Sequence, residues 1–155
     1  MKRILALLLL LLLPALVLAG EPAKEGDDAL GVSYGVAATD VDFDNWTATL
    51  GATWAHWWTD KLTTEVDAFF PRNQPGDWSM SMDAAYHFGP VFLEGGATYL
   101  QNDAGFQLNA GPGLNFWAGE RVNLVFVGRV IYNLDAAAEE DRTTWQTFSS
   151  LRFKF

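Results

Sequence analysis

The chain has 155 residues, half of them hydrophobic and none of them cysteine, with a formal net charge of −9. That acidity argues against nucleic acid as a partner, because phosphates demand a basic patch, and the lack of cysteine excludes disulfides and a lipid-modified cysteine anchor. The length suits one domain rather than two.

Lys2 and Arg3 lead into the unbroken apolar run Ile4 to Ala19, after which the composition turns acidic at "GEPAKEGDD". A charged start, an apolar middle and the small-residue exit Val17-Leu18-Ala19 predict a secretory signal peptide over residues 1–19, cleaved after Ala19. A membrane helix needs about 18 to 20 apolar residues; this run is shorter and Pro14 interrupts it. Both leader charges are basic, so the exported chain is more acidic than the whole. Residues 20–28 are expected to form a short acidic segment and residues 29–155 the single domain.

From Asp28 onward no helical period of useful length is present. Segments of about ten residues alternate apolar and polar side chains instead, the mark of two-faced strands. Eight strands are predicted, at 29–38, 45–55, 61–70, 78–88, 91–100, 105–116, 122–133 and 144–155. The links "TDVDFD", "PRNQPGD", "QNDAG" and "LDAAAEEDR" are long and fall at one end, while "HWWTD", "GP" and "AGER" are tight and fall at the other. An even-numbered up-and-down meander has this arrangement. The fifth strand, "VFLEGGATYL", alternates poorly and leaves its register open. In the sixth, Pro112 lacks the amide that a closed sheet requires, so a bulge is expected near Gly111 to Gly113.

Alternation divides each strand into two faces. In the second, Trp46, Ala48, Leu50, Ala52 and Trp54 oppose Asn45, Thr47, Thr49, Gly51 and Thr53. In the fourth, Trp78, Met80, Met82, Ala84, Tyr86 and Phe88 oppose Ser79, Ser81, Asp83, Ala85 and His87. The polar faces hold mostly small residues with few charges, which suits a narrow lumen better than a solvated surface. All seven tryptophans lie close to strand ends, Trp46, Trp78 and Trp145 at the long-link end and Trp54, Trp57, Trp58 and Trp117 at the other. Indole rings favour the boundary between hydrocarbon and headgroups. Two aromatic girdles around a band of Leu, Val, Ala and Met therefore predict a membrane barrel. It must close, because an open edge in lipid leaves backbone groups unpaired. A soluble barrel binding an apolar ligand also alternates, but would carry its large aromatics in mid-strand as well.

The polar faces include Glu65, Asp67, Asp83 and Glu94 on the third to fifth strands and Arg129 and Arg152 on the last two. Confined together, these charges are expected to form one hydrogen-bonded cluster that plugs the lumen. Counting residues from the strand ends places Arg152 level with Glu65 and Glu94, and Arg129 higher, near Asp67 and Asp83. The last strand, "TTWQTFSSLRFKF", sets Trp145, Leu151, Phe153 and Phe155 on one face and runs to the final residue, where chain ends ordinarily fray.

A signal peptide, eight amphipathic strands, aromatic belts and a terminal phenylalanine together resemble the small outer-membrane β-barrels of Gram-negative bacteria, the OmpA/OmpX-like class. The resemblance spans the chain after the leader and rests on pattern, with no catalytic motif. It implies an all-β fold, an eight-stranded antiparallel up-and-down transmembrane β-barrel, exported through the Sec pathway to the outer membrane. It also implies contact with outer-membrane lipid and lipopolysaccharide, and reading of Leu151, Phe153 and Phe155 by the barrel-assembly machinery. The expected function is structural or interactive, with a filled lumen, outer links turned to an extracellular partner, and neither cofactor nor nucleic acid. Some members of the class are lipid A deacylases or acyltransferases, an alternative that needs histidine and serine together. Here only His56, expected in a turn, and His87, expected to face inward beside Ser79, Ser81 and Asp83, are available, and lipid-facing Ser149 has no histidine to pair with. Asp40, Asp42 and Asp44 are spaced like the opening of a calcium loop but lack its glycine and closing glutamate. Glu139, Glu140 and Asp141 form a second acidic tip, and neither is read as a metal site.

Overall fold

Period-two alternation becomes backbone structure in eight strands: β1 (Asp28–Ala38), β2 (Trp46–Trp57), β3 (Leu62–Pro71), β4 (Ser79–Phe88), β5 (Val91–Leu100), β6 (Gly105–Ala118), β7 (Val122–Asn133) and β8 (Thr143–Lys154). The computed structural model describes residues 23–38, 46–71, 77–101, 105–134 and 143–155. The predicted leader and the acidic links around Asp42 and Glu140 lie outside the described residues.

Each strand pairs antiparallel with the next, and β8 returns to β1, so the sheet closes in chain order. The closing seam runs from Ala29 opposite Lys154 to Ala38 opposite Trp145. The Phe155 amide then donates to the Asp28 carbonyl at 3.0 Å, which ties down the final residue. At the short-turn end, Gly89 and Gly119 both take φ of 74° between their strands, a backbone state that glycine adopts at no steric cost.

Two expectations about the sheet are corrected. The bulge predicted near Pro112 is not there. Ala110 pairs with Val130 and Gly113 with Val127, so two residues on β6 face two on β7 and no residue is inserted. The ladder lacks pairs at Gly111 and Pro112 on the β7 side, while β5 pairs with both. The missing amide thus costs a local gap and leaves the register intact. The second correction concerns length: β2 continues past Ala55 to Trp57 and β6 past Phe116 to Ala118, which decides where two tryptophans point.

The faces are inverted relative to a water-soluble protein. Polar residues such as Thr63, Glu65, Asp67, Asp83, Asn123, Arg129 and Arg152 are buried inside, while Leu30, Val32, Leu50, Met82, Leu93 and Leu108 are exposed outside. A contiguous apolar band of this kind is stable against hydrocarbon and not against water.

Candidate functional site

The lumen is filled in layers, aromatic toward both ends and polar or charged between them. At the short-turn mouth Trp57 and Trp117 are 2% and 6% exposed, with ring centroids 5.9 Å apart, packed with Ala23, Ala29 and Ala55. These two rings were predicted to belong to the girdle, and they instead plug the barrel. The reason is parity: Trp57 shares its face with Thr53 and Ala55, and Trp117 with Gly113 and Asn115, once β2 and β6 run on to include them.

The chain before β1 folds over this mouth. The Gly26 amide donates to the Trp57 carbonyl at 2.8 Å, and the Trp57 amide to the Asp27 carbonyl at 3.0 Å. Lys154 Nζ lies 3.1 Å from Asp27 Oδ2 and 5.4 Å from the Trp117 ring centre. Partial burial works against the Asp27 carboxylate, but the Lys24 amide and the Lys154 ammonium hold it below its ordinary range.

Above the tryptophans lies a neutral polar layer. Thr63 Oγ1 is 2.8 Å from His87 Nε2, Asn115 Nδ2 is 3.5 Å from His87 Nδ1, and Asn123 Nδ2 donates to Asn115 Oδ1. The His87 ring also packs on Phe92, with centroids 5.0 Å apart. His87 faces inward as expected, and its partners come from the adjacent β3 and from β6 rather than from the serines of its own strand.

The charged layers follow. Arg152 grips Glu65 with two parallel bonds, Nη1 to Oε1 at 2.7 Å and Nη2 to Oε2 at 2.5 Å, and its Nε donates to Ser150 Oγ at 3.2 Å. This fork geometry is the strong form of a buried ion pair. Arg129 donates through Nε to Gln146 Oε1 at 2.7 Å and through Nη1 to Asp83 Oδ2 at 3.2 Å. Glu94 Oε1 lies 3.8 Å from Arg129 Nη1, and neither carboxylate oxygen accepts a hydrogen bond among the described residues. Asp67 meets the Ser81 hydroxyl at 3.4 Å.

All six predicted lumen charges are therefore buried together, but two partners differ from expectation. Glu94 belongs with Arg129 and not with Arg152; the residue opposite it on β6 is Gly111, where a Cβ would run into the Gly128 carbonyl and lie 2.9 Å from the Arg129 Cβ, so no side chain stands between the two. Asp67 has a hydroxyl where a guanidinium was expected. Toward the long-link end Phe69 and Phe148 stack edge to face at 5.7 Å, and Arg129 Cζ sits 4.9 Å from the Phe148 ring centre and 5.8 Å from that of Phe69. Phe148 was absent from the sequence reading although its step from Gln146 and Ser150 places it inside.

On the outer face Trp54, Trp58, Trp78 and Trp145 are exposed, while the Trp46 side chain lies outside the described residues. Trp54 Nε1 donates to Asp28 Oδ1 at 3.1 Å and Trp58 Nε1 to Thr64 Oγ1 at 2.8 Å, so the indole tips are satisfied at the rim. His56, expected in a turn, is on β2 between those two rings, 3.0 Å from Asp28 Oδ1. Leu151, Phe153 and Phe155 all face outward, Phe155 with 74% exposure.

No protein-family model matches the sequence, and no curated protein does. Solved structures match it in fold. The N-terminal β-barrel domain of Pseudomonas aeruginosa OprF aligns with a TM-score of 0.63 at 16% identity, over 84% of this chain and 100% of that one. A transmembrane β-barrel designed de novo aligns with a TM-score of 0.61 at 13% identity, over 87% of this chain and 100% of the design. Ail, the attachment invasion locus protein of Yersinia pestis, aligns with a TM-score of 0.51 at 11% identity, over 85% of this chain and 100% of Ail. At such identities the likeness is one of fold. Closed in chain order, apolar without and charge-paired within, the chain has the fold of the small eight-stranded transmembrane β-barrels.

Proposed function

We propose that this barrel serves the outer membrane as a structural or interaction protein whose lumen is filled, without a catalytic role. The observation that carries this reading is the pair of guanidiniums laid across the lumen, Arg152 on Glu65 and Arg129 on Asp83, with Phe69 and Phe148 toward one end and Trp57 and Trp117 at the other. A barrel of eight strands is just wide enough for side chains to fill it. A diffusion channel needs a continuous water path, and each of these layers stands in its way.

The surroundings of the two histidines support the non-enzymatic reading. A nucleophile and its base must meet within hydrogen-bond reach. Among the described residues His87 is held by Thr63 and Asn115 and His56 by Asp28, and neither bonds a serine. The exposed apolar band is suited to outer-membrane lipid and lipopolysaccharide, and the outward Leu151, Phe153 and Phe155 to recognition by the barrel-assembly machinery. Planar-bilayer recording tests the filled lumen. The reading expects small, infrequent conductance from the unaltered protein, increased by Trp57→Ala combined with Arg152→Ala. A large steady conductance from the unaltered protein would contradict it.

A further inference from the structure

Between two adjacent rows of outward side chains the barrel wall carries a groove of about 560 Å³. One row reads across the strands as Tyr34, Ser149, Phe126, Leu114 and Val91, each directly opposite the next. The other holds Val36, Thr147 and Gly128, with Pro112 beyond them. Phe148 and Val127, whose side chains turn inward, form the floor together with Gly113. Among the described residues, no charged one lines the groove.

Gly128 makes it deep. A Cβ at Gly128 would meet nothing within 4 Å, whereas one at Gly51, Gly96, Gly111 or Gly113 would run into a neighbouring strand or ring. Those glycines are required by packing, and Gly128 is not. A glycine in mid-strand weakens the strand and often marks a place where something else approaches the backbone closely. The Gly128 carbonyl is approached by Gly111 of β6 within the wall, but on the outward side, where a Cβ of Gly128 would stand, no described atom of this chain lies within 4 Å.

The course of the groove points to its occupant. Val91 opens β5 directly after the turn at Gly89 and Pro90, so one end lies at the short-turn rim. The other end lies at Tyr34 and Val36, in the upper part of β1. Four strand spacings of about 4.8 Å make the row roughly 19 Å long. With strands tilted by about 45° it climbs roughly 13 Å, close to half of the ~30 Å hydrocarbon layer. That is the depth of one leaflet. The groove is continuous with the apolar band that meets lipid, and a flexible hydrocarbon chain can follow an oblique trough that a second rigid barrel wall would touch only along its rims.

We propose that the groove over Gly128 holds one acyl chain of a phospholipid whose headgroup lies at the short-turn end of the barrel. The assignment rests on the membrane reading of the preceding subsection. The test reconstitutes the full exported chain in phosphatidylethanolamine and phosphatidylglycerol vesicles carrying a photoreactive group in mid-chain, with adducts mapped by mass spectrometry. Adducts on Phe126, Thr147 and Ser149 are expected to exceed those on Met82, on the opposite wall, several-fold. Gly128→Leu, whose Cβ meets nothing within 4 Å, is expected to bring them down to the Met82 level while the folded, heat-modifiable gel band remains. Thr147→Phe fills the same space from β8 and gives the same drop if Gly128→Leu fails to fold. Equal labelling of both walls, or groove labelling that survives both substitutions, would overturn the assignment. A photoreactive amino acid placed at Thr147 in the same vesicles is expected to join lipid, and protein-to-protein adducts from it in place of lipid adducts would overturn the assignment in favour of a second copy. Absence of adducts on Met82 as well would refute the membrane reading itself, a separate failure.

Discussion

Four buried carboxyl groups share two guanidiniums in this lumen, and they do not share them equally. Glu65 receives both arms of Arg152, whereas Glu94 stands 3.8 Å from Arg129 and accepts no hydrogen bond among the described residues. A buried charge that loses its partner is costly, and a buried charge that never had a close one contributes little. Arg152→Ala is therefore expected to destabilise the barrel by about 3 to 5 kcal/mol in urea unfolding from lipid, and Glu65→Gln by a similar amount. Arg121→Ala, in an exposed turn, should stay within about 0.5 kcal/mol. Glu94→Gln should leave stability unchanged or raise it. Equal losses for Glu65→Gln and Glu94→Gln would show that the lumen charges line water rather than hold one another. The burial of the six charges was legible from alternation alone. Their partners were not, because Arg129 reaches Glu94 only where Gly111 leaves room, and that depends on how the closed sheet is staggered.

At the scale of the strand, the same residue type has opposite meanings at two places. Gly113 lies directly under Phe92, and a Cβ there would run into the ring, while Gly128 faces open space. Gly113→Ala should destabilise by about 1 to 3 kcal/mol through overpacking, and Gly128→Ala should stabilise by about 0.5 to 1 kcal/mol through β-strand propensity. Equal effects would mean that the Phe92 ring moves aside freely. The closing strand carries a different expectation. Phe155 is held through its backbone to Asp28 while its ring projects outward, so the proposed recognition during assembly separates the ring from the strand it closes. Changing Phe153 and Phe155 to Ser is expected to lower the folded amount in the outer-membrane fraction, measured by immunoblot, with little change in the unfolding midpoint of the protein that does assemble. Normal levels would mean that the terminal pattern serves the strand alone. Strand ends were the weak point of the sequence reading. Ending β2 at Ala55 and β6 at Phe116 left Trp57 and Trp117 without a parity, and both were assigned by position to the girdle they do not join. Phe148 was hidden for a related reason: Thr147 and Ser149 beside it are small, so its strand shows weak contrast there.

For the whole molecule, fold was legible because a closed membrane barrel imposes several independent signals at once: ten-residue spans, period two, unequal links and aromatic rims. Two strands, Val91–Leu100 and Val122–Asn133, keep their predicted bounds, whereas the bulge at Pro112 was wrong because a missing amide can be absorbed as a gap in the ladder. Function is less legible for a physical reason. The fold is shared with a barrel designed de novo, so the architecture itself requires no biological activity, and function lies in sites placed on it. The central claim is that this chain is a closed barrel embedded in the outer membrane. Expressed from its full 155-residue sequence in a Gram-negative host, the protein is expected to sediment with the outer membrane, to need detergent for extraction, and to migrate differently on a gel before and after boiling. Recovery from the soluble periplasm, with one migration in both lanes, would contradict the account.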